Sequence, residues 1–154
     1  MINQAGLTMQ GMAQGSWSGV EFQSAPRQQA IWLYQRASSR GWWKCLFGRK
    51  WLACAEVRAT GGRDMGIRPV ELTRITGSEG RSRDFDRDFR PMASHLRDRW
   101  VSVAEAWLKG VALPPIELIA VGQHFVVRDG HHRISVARAL GLKVLEAHVV
   151  ACQE

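Results

Sequence analysis

The run Val126-Val127-Arg128-Asp129-Gly130-His131-His132-Arg133, continued by Ile134-Ser135-Val136-Ala137-Arg138-Ala139-Leu140-Gly141, constrains the fold of this chain more than any other segment. An apolar strand enters a tight Asp-Gly turn, and a helix opens at two histidines and an arginine. Such a junction gathers unbonded backbone N–H groups, a helix dipole and a guanidinium around one small volume. That volume suits a phosphate or another anion. It also demands a sheet that ends where a helix begins, which excludes all-helical folds.

The chain has 154 residues, of which 45% are hydrophobic and 23% charged. This is enough for one compact domain with a single core, together with an extension. The formal net charge of +7 favours polyanionic partners such as nucleotides, nucleic acid or anionic lipid, or else serves solubility alone. Cys45, Cys54 and Cys152 form no Cys-x-x-Cys pair, which predicts reduced thiols and a cytoplasmic protein. No apolar run approaches the length of a membrane span, and no secretory signal opens the chain.

Residues 1–26, rich in Gly, Gln, Ser and Met, read as a flexible tail. Residues 27–58 carry seven arginines and lysines against Glu56 alone, interleaved with Trp32, Trp42, Trp43, Phe47 and Trp51. Their spacing predicts a short helix at about 28–37 and a second, basic amphipathic helix after Gly41. The tryptophans either stack on nucleic acid or dock the arm onto the domain; the apolar spacing favours docking. Residues 59–68 read as a linker. The domain proper, 69–154, begins with a strand over Pro69–Ile75 and a glycine-rich turn, followed by a loop over 82–90 anchored by Phe85 and Phe89. A helix over about 91–109 carries Leu96, Trp100, Val103, Ala104, Trp107 and Leu108 on one stripe. Strands at Ile116–Val121, His124–Arg128 and Val144–Val150 and a helix over about 132–140 complete it. The order is β, α, β-hairpin, α, β, and the expected class is α+β.

Residues 69–150 resemble the N-terminal domain of the ParB/sulfiredoxin superfamily. The resemblance is carried by the opening strand, the turn with Arg81 and Arg83, Asp84-Phe85-Asp86, Leu113-Pro114-Pro115-Ile116, and Phe125–Asp129 leading into Gly130-His131-His132-Arg133. It implies a small mixed sheet with helices and nucleotide phosphates at the Gly-x-x-Arg turn. Gly130 would admit the phosphate, Arg133 would clamp it, His131 and His132 would flank it, and Arg81 and Arg83 would face the nucleotide. A nucleoside triphosphate with Mg²⁺ is the implied cofactor, with DNA a further partner through the basic arm. His131 and His132 stand where partition proteins carry Glu-Arg, and Ser135 replaces their last arginine. His131 also stands where sulfiredoxins require cysteine, which removes the nucleophile of that chemistry. The order Asp-Gly-His-x-Arg is closer to the superfamily's kinases of free serine, with Asp129 and His131 as catalytic groups. A ParB-like nuclease is the third implied class.

Each candidate also has a plainer role. Asp129 before glycine is a turn former as well as a base or Mg²⁺ ligand. Glu79 is an exposed loop residue or a base. Arg81 and Arg83 are phosphate contacts or surface partners of Asp84, Asp86 and Asp88. His124, His131, His132 and His148 match no zinc spacing, so no metal site is expected.

Overall fold

A computed structural model describes residues 25–39, 53–54, 62–81 and 83–152. In chain order the elements are helix α1 (Pro26–Ser39), strand β1 (Ala53–Cys54), β2 (Arg63–Glu71), a 3₁₀ turn (Leu72–Arg74), β3 (Ile75–Ser78), a second 3₁₀ turn (Ser94–Leu96), α2 (Arg97–Leu108), β4 (Ile116–Val121), β5 (His124–Asp129), α3 (His131–Ala139) and β6 (Val144–Ala151). The strands form one sheet in the order β1-β3-β5-β4-β6-β2. β3 runs parallel to β1 and β5, and β4 parallel to β6, while β4–β5 and β2–β6 are antiparallel. The fold is therefore α+β with a mixed sheet, the class read from the element order.

The largest departure lies at residues 63–68, expected to link two regions. They are instead the first part of β2, which pairs with β6 from Arg63↔Ala151 to Glu71↔Val144. The register shifts between Asp64 and Ile67, around Gly66 at φ 72°. Asp64 accepts the Gly66 N–H at 2.7 Å and faces His148 Nε2 at 2.9 Å. A Gly-rich stretch with a bulge reads locally as a linker; its partner strand, some eighty residues away in sequence, makes it a strand. The expected strand Pro69–Ile75 is likewise divided by the 3₁₀ turn. The helix expected from residue 91 starts only at Arg97, because Pro91 bridges back to Phe85. The loop expected to be solvated at 82–90 buries Asp86 as well as Phe85 and Phe89. Asp86 accepts the backbone N–H groups of Asp88 and Arg90, each at 2.9 Å, and so closes the turn.

The main core lies where β6 places Leu145, Ala147 and Val149 on one face, joined by Leu118, Val127, Ile134, Phe85 and Phe89. A second core joins the helices: Ala30 and Tyr34 of α1, Trp100, Val101 and Ala104 of α2, and Val136 of α3. Arg27 and Lys109 both pair with Glu105 at its rim, at 3.0 and 2.7 Å. Thus the part of the basic segment that forms α1 packs against the domain. Of the second helix expected after Gly41, Ala53 and Cys54 are instead strand β1, paired with Gly77 and Ser78 of β3, because the sheet edge offers them backbone partners. Its other residues, Trp42, Trp43, Phe47 and Trp51 among them, lie outside the described residues, as does the tail 1–24. Among the described residues no helix is long and apolar enough to cross a membrane.

Candidate anion site at the start of α3

β3 and β5 run parallel and end side by side, Ser78 opposite Val127, and their following loops meet at the first turn of α3. Loops beyond the carboxyl ends of neighbouring parallel strands are the usual place for a ligand crevice. Gly130 makes the turn from β5 into α3 at φ 104° and ψ 20°, a region open to glycine. A β-carbon there would lie 2.5 Å from Ile116 Cγ2 and 2.8 Å from Ile116 Cβ. Ile134 N–H is the first to close a helical bond, onto the Gly130 carbonyl at 3.0 Å. The amides of His131, His132 and Arg133 therefore have no helical acceptor, and Gly130 offers no side-chain cap. These amides sit at the positive end of the helix dipole.

Both histidines are buried, each 6% exposed. The Phe85 ring contacts both, stacked on His131 at 6.0 Å and edge-on to His132 at 5.4 Å. His131 Nε2 is 2.6 Å from Ser78 Oγ, which is itself fully buried. Ser78 Oγ also accepts the N–H groups of Arg81 at 2.9 Å and Gly80 at 3.3 Å. With its lone pairs so used, Ser78 donates its hydroxyl proton to Nε2. His131 then carries its own proton on Nδ1. His132 Nε2 is buried with no hydrogen-bond partner.

Burial pushes the pKa of both rings down to about 4, and the nearby Arg81 charge pushes in the same direction. His132 itself adds to the effect on His131, and Arg99 to that on His132. Both imidazoles are neutral at pH 7, so positive charge at this site comes from arginine and from the helix terminus. The unfolded rings titrate near the ordinary 6.5. Between 6.5 and 4 the unfolded chain binds more protons than the folded one. The stability these rings allow is full above pH 6.5 and falls as pH drops toward 4. We expect a loss on the order of 3 kcal/mol from each ring, levelling off below pH 4, since each pKa unit is worth about 1.4 kcal/mol. Urea midpoints between pH 7 and 4 check this; a His131→Gln/His132→Gln variant with the same pH slope as the parent would contradict it.

The other sequence candidates fall into two groups. Arg81 reaches the site: it acts electrostatically on both histidines and lies 3.9 Å from Asp84, which also faces His95 at 3.7 Å. Arg83 is exposed, with no ion pair to a described residue. Arg133 points to the β4 side. Its Nη1 donates to the carbonyls of Pro114 and Pro115, and its Nη2 to Asp129 Oδ2 at 2.5 Å. Glu79 accepts from Arg128 Nε at 3.1 Å. His124 opens β5 and His148 lies in β6 beside Asp64, both in strands away from the turn. Two residues of the site were not singled out in the sequence, Ser78 and Arg99, and Phe85, read there as a loop anchor, also touches both imidazoles. Ser78 had one legible signal, a Ser-x-Gly-Arg turn whose hydroxyl can accept the following amides.

No family model matches the chain, and no curated protein matches it. Among solved structures it is similar to that of sulfiredoxin from Arabidopsis thaliana, at 19% sequence identity and a TM-score of 0.40. The likeness covers 54% of this chain and 82% of that one.

Proposed function

We propose that this domain binds a nucleoside triphosphate through its phosphates at the start of α3. The observation that carries the reading is the glycine-gated helix terminus itself. Three amides without helical acceptors lie behind a turn that has no room for a β-carbon. Arg81 and Arg99 supply charge from two other segments of the fold. Neutral histidines suit such a site, because they can orient phosphate oxygens without a charge of their own to desolvate. Arg133 acts as the strut that holds the Pro114–Pro115 turn against the phosphate turn, with Asp129 as its counter-ion. The nearest carboxylates, Asp84 and Asp129, already face cations, so a Mg²⁺ arriving with the nucleotide would keep mainly phosphate and water oxygens.

Binding stands ahead of phosphotransfer and hydrolysis on a specific ground. The two groups expected to move protons are already paired within the chain, Asp129 with Arg133 and His131 with Ser78. It stands ahead of DNA contact through residues 27–58 because α1 buries Ala30 and Tyr34 against α2. Calorimetry with the Mg²⁺ complexes of ATP, CTP, GTP and UTP tests the proposal. At least one should bind, and Arg81→Ala should weaken it by about tenfold or more, the scale of one charge-assisted hydrogen bond. No binding across the four, or an Arg81→Ala variant that binds like the parent, would overturn it. Turnover stimulated by a small hydroxy compound would move the reading to a kinase, and chelator-sensitive nicking of DNA to a nuclease.

A further inference from the structure

Two parts of the basic N-terminal segment, β1 and α1, each touch a residue that holds α3 in place. β1 lies at the end of the sheet beside β3, in parallel register Ala53↔Gly77 and Cys54↔Ser78. On its other flank β3 pairs with β5, Ser78 opposite Val127. The backbone at Ser78 is thus bracketed by a strand on each side, and without β1 it would be an open sheet edge. The Ser78 hydroxyl, fully buried, meets His131 Nε2 at 2.6 Å and accepts the amides of Gly80 and Arg81. A shift of the Ser78 backbone would therefore move the first turn of α3 and the Arg81 loop together.

α1 reaches the same helix by another route. Its Ala30 and Tyr34 pack against Trp100 of α2, with the Tyr34 and Trp100 rings edge-on at 5.5 Å. The Trp100 indole N–H donates to Ser135 Oγ of α3 at 2.7 Å. His131 and Ser135 are one helical turn apart, so they lie on one face of α3. Both are buried. α3 is only nine residues long, and these two side-chain bonds tie that face to β3 and to α2. Each bond partner is backed by the N-terminal segment, Ser78 by β1 and Trp100 by α1.

We infer that the basic N-terminal segment is a positioning part of the anion site, docking on Ser78 and Trp100 so that α3 presents its first amides beside Arg81. This role rests on the reading of the α3 terminus as a phosphate site. It entails a reciprocal coupling: phosphate strengthens the docking of β1 by the same factor by which docking strengthens phosphate binding.

The test uses the full chain and inorganic tripolyphosphate, which carries the phosphates common to all four nucleotides. Ala53→Pro/Cys54→Pro removes both β1 amides, whereas Cys54→Ala keeps them and serves as control. The double proline variant should bind tripolyphosphate about tenfold more weakly than the parent, within the usual span of coupling between sites, and Cys54→Ala should bind like the parent. His131 gives a readout that needs no ligand. With Ser78 released, its ring loses a hydroxyl donor and gains water, so its NMR titration midpoint should climb from about 4 toward 6.5. The charged and titratable groups around it, Arg81, His132, Asp129 and Asp84, are the same in both proteins. If the double variant does not fold, exchange of the Ala53 and Cys54 amides in the parent decides: saturating tripolyphosphate should slow it by about tenfold. A folded double variant with parental affinity and a His131 midpoint still at about 4 would overturn the positioning role, as would β1 amide exchange that ignores bound tripolyphosphate. No tripolyphosphate binding by the parent, with the His131 midpoint nevertheless raised in the double variant, would overturn the phosphate reading and uphold the positioning of α3 by the segment.

Discussion

Trp100→Ala is expected to destabilise the fold by about 3–5 kcal/mol, the range for truncating a fully buried aromatic. Trp100 has no exposed surface and sits where three helices meet. Its ring meets Tyr34 of α1 edge-on, with centroids 5.5 Å apart at 65°. Its indole N–H donates to Ser135 of α3 at 2.7 Å. Alanine removes the ring that separates these helices and leaves a void that close-packed backbone cannot fill. A loss of that size is a large part of the roughly 5–15 kcal/mol that holds a typical domain folded. Trp100→Phe keeps most of the ring but not the donor, and should cost about 1–2 kcal/mol, the value of one hydrogen bond with a little volume. Urea unfolding measures both. A Trp100→Ala loss below about 1 kcal/mol would show that α1 and α2 do not pack around this ring.

Gly130→Ala is expected to cost about 2–5 kcal/mol, the sum of two separate penalties. The first is backbone: at φ 104° an L-residue is strained whatever its surroundings. The second is space, since the added methyl would lie 2.5 Å from Ile116 Cγ2 and 2.8 Å from Ile116 Cβ. Ile116 is 2% exposed, and its Cβ is fixed to the β4 backbone, so it cannot swing aside. Displacing β4 or the turn also moves the amides of His131 and His132, so the proposed phosphate affinity should fall with stability. The steric part is separable. In Gly130→Ala/Ile116→Ala the combined loss should be smaller than the sum of the single losses, because the cavity made by one change receives the methyl of the other. Strict additivity in the double-mutant cycle would remove the steric half of this account, leaving backbone strain alone.

Local chemistry was legible where neighbours in sequence are neighbours in space. The strand–glycine–helix junction at 124–139 follows from an apolar run, an Asp-Gly pair and a helical apolar stripe, all within one short segment. The β4–β5 hairpin at Gly122-Gln123 and the stripe of Trp100 and Ala104 on α2 follow in the same way. Residues 63–68 were not legible, since only pairing with β6 stabilises a bulged, glycine-containing strand.

Inside the site the division is sharper. Gly130, His131, His132 and Arg81 were named from their order along the chain, and the fold brings them to one place. Their physical states could not be named, because these depend on groups distant in sequence. His131 is neutral because Phe85 and the sheet bury it and because Ser78, 53 residues earlier, holds Nε2. Arg133 looks in sequence like a free phosphate ligand, yet the fold presents it with the carbonyls of Pro114 and Pro115. What the sequence by itself determined is the succession of elements and the placing of a glycine turn before a helix, since these rest on interactions within a few residues. Burial, partner choice and charge state were decided only by tertiary structure, because desolvation and hydrogen bonding act through space and not along the chain.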